Sequence, residues 1–139
     1  MSVPVLEIID DALREINVIS EVGTATAEQG KYALRKLNQM MDLWRETKSV
    51  DVGYFSLSAT TETAQIPDWA VLTVTLSLAT ALASKYGASV SQELGAIAND
   101  AFNGVQTRCI LDRKTGVDLS YLPVGSGHRG RGNDIRNDR

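Results

Sequence analysis

Cysteine and histidine are almost missing from this 139-residue chain: Cys109 and His128 stand alone. One cysteine excludes an intrachain disulfide and a cysteine-based zinc cluster, and a nitrogen/sulfur metal site would need ligands from a second chain. No metal or cofactor is therefore expected. Long apolar runs are missing too. The longest uncharged stretch, Trp69 to Ser84, has 16 residues and five Ser/Thr, too short and polar to span a bilayer easily and better read as a buried helix. No membrane partner is expected. Met1 to Asp11 lacks a basic stretch and turns acidic at once, so no signal peptide is expected and a cytosolic origin is.

What is present is the composition of one globular domain, with 43% hydrophobic and 22% charged residues. A chain of this size buries roughly two-thirds of its unfolded surface and holds a core without cross-links. Its charge is uneven. Residues 1–112 carry eight Lys/Arg against fourteen Asp/Glu, a net −6, whereas residues 113–139 carry six against three, a net +3. An acidic body with a basic tail divides the chain into a helical body, 1–112, and an extended C-terminal arm, 113–139.

Periodicity fills the body with helices. Val5, Ile9, Ala12, Leu13 and Ile16 form one helical stripe after Pro4, which suits a first turn. Thr26-Ala-Glu-Gln29 reads as a capping box that opens a second helix carrying Ala33, Leu34, Leu37, Met40, Met41 and Trp44. Pro67 and Asp68 start a third helix with Trp69, Leu72, Leu76, Ala79 and Ala83. It is expected to be buried on most sides, by its own bundle or a neighbouring subunit, and Gly87 is placed to cap its end. Ser89-Val-Ser-Gln92 reads as another capping box before a fourth helix carrying Leu94, Ile97, Ala98, Ala101, Val105 and Cys109. Between the second and third helices, Val50, Val52 and Tyr54 alternate with Asp51 and Gly53, which suits a short β-hairpin or an extended loop over about 50–66. The expected fold is mainly α: a four-helix bundle-like body, that hairpin or loop, and an extended C-terminal arm.

Candidate chemistry is thin. His128 has no nucleophile in a recognisable motif beside it, so it would be an unoriented base. Cys109, on an apolar helix face, reads as a small hydrophobe. Asp10/Asp11 and Asp42/Glu46 read as surface acids rather than an acid/base pair. Gly125-Ser-Gly127 lacks the lysine and helix of a phosphate loop. No feature supports an enzyme. Trp44, Trp69, Met40 and Met41 read as core before groove. The tail is richer, with four Gly and four Arg in its last fifteen residues. His128-Arg-Gly-Arg-Gly132 is similar to segments that hold nucleic acid by backbone charge. Against that, Asp134 and Asp138 dilute the charge and no aromatic residue follows Tyr121. A docking arm is the other reading, with Leu122 and Pro123 as anchor and Gly125 to Gly132 as flexible spacer.

Three stretches together resemble the head-to-tail adaptor proteins of short-tailed bacteriophages, also called tail accessory factors or packaged-DNA stabilisation proteins. They are Ala12-Leu-Arg-Glu-Ile16, then Ala33-Leu-Arg-Lys-Leu-Asn-Gln-Met-Met-Asp-Leu-Trp44, then Leu122-Pro-Val-Gly-Ser-Gly127. The likeness spans most of the chain and is weak over Val50 to Ile66; the Arg-Gly pattern of the tail departs from it. The resemblance implies a mainly helical subunit of a homo-oligomeric ring of about twelve copies beneath the portal protein. It implies a virion component of the neck or tail, assembled in the host cytoplasm and acting in genome packaging and ejection. Double-stranded DNA would pass through the ring without sequence-specific binding. Portal docking falls, by this likeness, to Leu122, Pro123, Val124, Gly125, Ser126, Gly127 and Arg129. Tyr54, Phe55 and Leu57 become the loop that faces the tail nozzle protein or a neighbouring subunit. The alternative is a small nucleic-acid-binding protein that uses its basic Arg/Gly tail.

Overall fold

A computed structural model describes residues 2–115. Four helices run in chain order: α1 (Val5–Glu15), α2 (Ala27–Thr47), α3 (Asp68–Ala83) and α4 (Gln92–Thr115). The stripes read from the sequence are the reason they pack. Val5, Ile9, Ala12, Leu13 and Ile16 on the first helix are buried, as are Ala33, Leu34, Leu37, Met41 and Trp44 on the second. α3 touches each of the other three helices. Nine of its sixteen residues are buried, and a helix so placed needs apolar or small side chains on several faces.

Local chemistry sets the ends. The Thr26 hydroxyl accepts from the Gln29 N–H at 3.3 Å while the Gln29 side chain accepts from the Thr26 N–H at 2.9 Å, the reciprocal cap expected. The cap of α4 is Ser91 rather than Ser89. Its hydroxyl accepts from the Leu94 N–H at 3.1 Å, so the motif is shifted and lacks the returning Gln side chain. Gly87 takes φ +65° and the Ala88 N–H reaches back to the Ala83 carbonyl at 3.0 Å, closing α3 as expected. Asn17, at φ 58°, does the same for α1, since Asn tolerates the left-handed region better than most residues.

The segment between α2 and α3 is an extended loop, not a hairpin. Its only strand, β2 (Thr63–Ala64), pairs antiparallel with β1 (Val3–Pro4), in register Val3↔Ala64. The alternation at 50–54 reports burial on one side rather than strand pairing: Val50, Val52 and Tyr54 are in the core, and Asp51 and Gly53 are exposed. Three apolar positions of the helical stripes are not covered by the body itself, and Trp69, read as core, is among them. Trp69 is 37% exposed, Leu72 61% and Ile97 53%. Trp69 and Leu72 lie off the Ala70–Val74–Leu78 line by which α3 meets the core, and Ile97 lies off the Ala98–Val105–Cys109 line of α4. The expected arm lies outside the described residues, except that α4 itself continues through Thr115.

Candidate functional site

The loop 50–62 is built onto α2 by one amide. Asn38 Oδ1 accepts from the Tyr54 hydroxyl at 2.6 Å and from the Leu57 N–H at 3.2 Å, and Asn38 Nδ2 donates to the Leu57 carbonyl at 2.9 Å. Two helix turns on, Arg45 Nη2 donates to the Tyr54 carbonyl at 2.6 Å. Glu62 folds the loop tip. Its Oε1 accepts from the Ser58 hydroxyl and from the Ser58 and Ala59 N–H groups at 2.8–3.0 Å. The Ser58 hydroxyl first, then these two N–H groups, lower the Glu62 carboxyl below its usual range, since each bond favours the ionised form. Burial pushes the Tyr54 phenol up to about 12, aided by the charges of Asp42 and Glu62.

This arrangement separates the three residues assigned to an outward-facing loop. Tyr54 is only 2% exposed and belongs to the core; Leu57 is half-buried; Phe55 is 72% exposed. Only Phe55 presents a large apolar side chain there. The tail positions Leu122, Pro123, Val124, Gly125, Ser126, Gly127 and Arg129, and His128 with them, lie outside the described residues.

The acidic residues divide in a way the sequence hid. Asp10 is buried, and its Oδ1 accepts from the Ala25 N–H at 2.8 Å, which corrects its reading as a surface acid. Its neighbour Asp11 is exposed and pairs with Arg14 at 2.8 Å. A second guanidinium nitrogen of Arg14, Nη2, donates to the Gly23 carbonyl, so both residues help to hold the α1–α2 connection. Cys109 is buried, as expected, with its Sγ 3.7 Å from the Asp51 carbonyl. Trp44 is core and meets Phe102 edge-on at 5.0 Å.

The surface feature with binding character is a ridge made by Trp69 and Leu72. Between it and α4 lies an apolar depression of about 290 Å³, floored by the small residues Ala101 and Gly104 and by Val105. The Arg108 guanidinium sits 4.6 Å from the centre of the Trp69 ring, a geometry that attracts cation to π-face. Two further depressions adjoin the ridge. One of about 440 Å³ shares Trp69 and is lined by Asp51, Gly53, Cys109 and Asp112. One of about 460 Å³ shares Leu72 and is edged by Asp11, Glu15 and Asp68 against the single cation Arg14. The apolar depression thus adjoins two others that carry carboxylates. A signal for it exists in the sequence: α3 carries two apolar stripes, 70/74/78 and 69/72/76, and the second is only partly covered.

Among the described residues no group of three or more His, Cys, Asp or Glu could hold a metal ion, and no helix is long and apolar enough to cross a membrane. No protein-family model matches the chain, and no curated protein matches it.

Proposed function

We propose that this chain is a structural connector: a ring-forming adaptor subunit that joins a phage portal to the tail and helps to retain packaged DNA. The observation that carries the reading is the uncovered apolar surface of a body whose own core is complete. Trp69 and Leu72 on α3 remain exposed and share one depression with Ala101, Gly104 and Val105 on α4. A contiguous exposed apolar surface of this kind suits contact with another protein. The resemblance of Ala12–Ile16, Ala33–Trp44 and Leu122–Gly127 to head-to-tail adaptors supplies the kind of partner.

Charge agrees with this reading. A DNA binder gains affinity by replacing phosphate counterions with Lys and Arg, and a body of net −6 is poorly suited to that. It suits the wall of a duct through which DNA slides. In this reading Leu122 to Gly127 and Arg129 grip the portal, and Phe55 faces the nozzle or a neighbouring subunit. Repetition around a ring turns a weak contact into a durable joint.

Mass photometry of the purified chain with and without a cognate portal ring tests the proposal. A stoichiometric ring on the portal, lost when residues 119–139 are removed, is the expected result. A chain indifferent to the portal that binds DNA in a salt-dependent way, and loses that binding when Arg129, Arg131, Arg136 and Arg139 become Gln, replaces it with the nucleic-acid reading.

A further inference from the structure

We propose that the apolar groove between α3 and α4 is the docking site of this chain's own C-terminal segment, Leu119 to Val124, in the free protein. The proposal does not depend on the portal reading. It starts from two deficits. The groove leaves Trp69 and Leu72 exposed over a floor of Ala101, Gly104 and Val105. The tail carries Leu119, Tyr121, Leu122 and Val124 in a stretch otherwise rich in Gly and polar residues, too little apolar area to fold alone.

Reach and direction match. The last described residue, Thr115, ends α4, and the depression flanked by Arg108 and Ala101 lies about 10–21 Å back along that helix at 1.5 Å per residue. Leu119 to Val124 lie about 13–30 Å of extended chain beyond Thr115, enough to turn at Gly116 and run back over the groove. Because the segment is tethered, its effective concentration at the groove is of millimolar order, so modest contacts suffice.

Charge complements the same face. Asp51 and Asp112 line the depression that shares Trp69, and Asp11, Glu15 and Asp68 edge the one that shares Leu72. The tail past Val124 carries Arg129 and Arg131, cations that such carboxylates attract.

The two tryptophans make the test direct, because Trp69 borders the groove and Trp44 lies in the core. In a ¹H–¹⁵N spectrum of the full chain each indole gives one signal, assigned with a Trp69→Phe variant. Leu119→Asp with Leu122→Asp changes only residues outside the helical body, so folding of the body is not at risk. The expected result is that this double variant shifts the Trp69 indole signal by more than its linewidth and leaves Trp44 in place. The shift should be independent of protein concentration, and Leu72→Asp should reproduce it. An unmoved Trp69 signal overturns the proposal. So does a shift that grows with concentration alongside a dimeric mass, which would make a second copy the occupant.

Discussion

Tyr54 donates its hydroxyl proton to Asn38 Oδ1 at 2.6 Å across sixteen residues of sequence, and this bond joins the 50–62 loop to α2. The same amide also holds both backbone groups of Leu57. Asn38→Ala therefore removes three bonds at once and leaves the Tyr54 hydroxyl without its partner. The expected loss is about 2–3 kcal/mol in urea unfolding, against about 1 kcal/mol for Tyr54→Phe, which keeps the Leu57 contacts.

The same tyrosine sets an alkaline limit. Its folded value is raised to about 12 from an ordinary 10.0, by burial first and then by Asp42 and Glu62. The protonated form is thus favoured in the fold. The contribution is fully present below about pH 10 and is lost as pH rises toward 12. A tyrosinate absorbance titration of the folded chain should show late ionisation that Tyr54→Phe reduces, while Tyr86, whose phenol burial also raises, still ionises late.

Asp10 offers a contrast between neighbours. Its carboxylate is buried and accepts the Ala25 N–H, while Asp11 is exposed beside Arg14. Asp10→Ala leaves that N–H without its acceptor and should cost about 1.5–3 kcal/mol. Asp11→Ala removes an exposed pair and should cost under about 1 kcal/mol. Thermal melts of the two variants at neutral pH separate them.

The two tryptophans should behave as differently as their settings. Trp44→Ala opens a cavity beside Phe102 and should cost about 3–5 kcal/mol. Trp69→Ala trims a side chain at the surface and should cost about 1 kcal/mol or less. Its larger effect should fall on whatever binds the groove, read by sedimentation with the partner.

Two glycines should respond with opposite signs. Gly87 takes φ +65° with open space around it, so Gly87→Ala meets only backbone strain, about 1 kcal/mol of destabilisation. Gly104 lies within α4 with nothing within 4 Å of an added Cβ. Gly104→Ala should therefore stabilise by about 0.5–1 kcal/mol through helix propensity. Chemical denaturation of both variants checks the signs.

By itself the sequence determined the helices, because period and capping are local properties. The 5/9/12/13/16 stripe, the Thr26–Gln29 box and the Gly87 stop act within a few turns of chain, and the structure shows each. Only the tertiary structure decided which of several apolar stripes becomes core. Trp69 and Leu72 are as hydrophobic as Val74 and Leu78, but the packing of α3 against the other helices covers one set and leaves the other open to solvent. It also decided that Thr63–Ala64 pairs with Val3–Pro4 rather than within its own loop. It placed one carboxylate of Asp10/Asp11 inside the body and the other outside. Burial and strand partnership depend on residues distant in sequence, and no local pattern carries them.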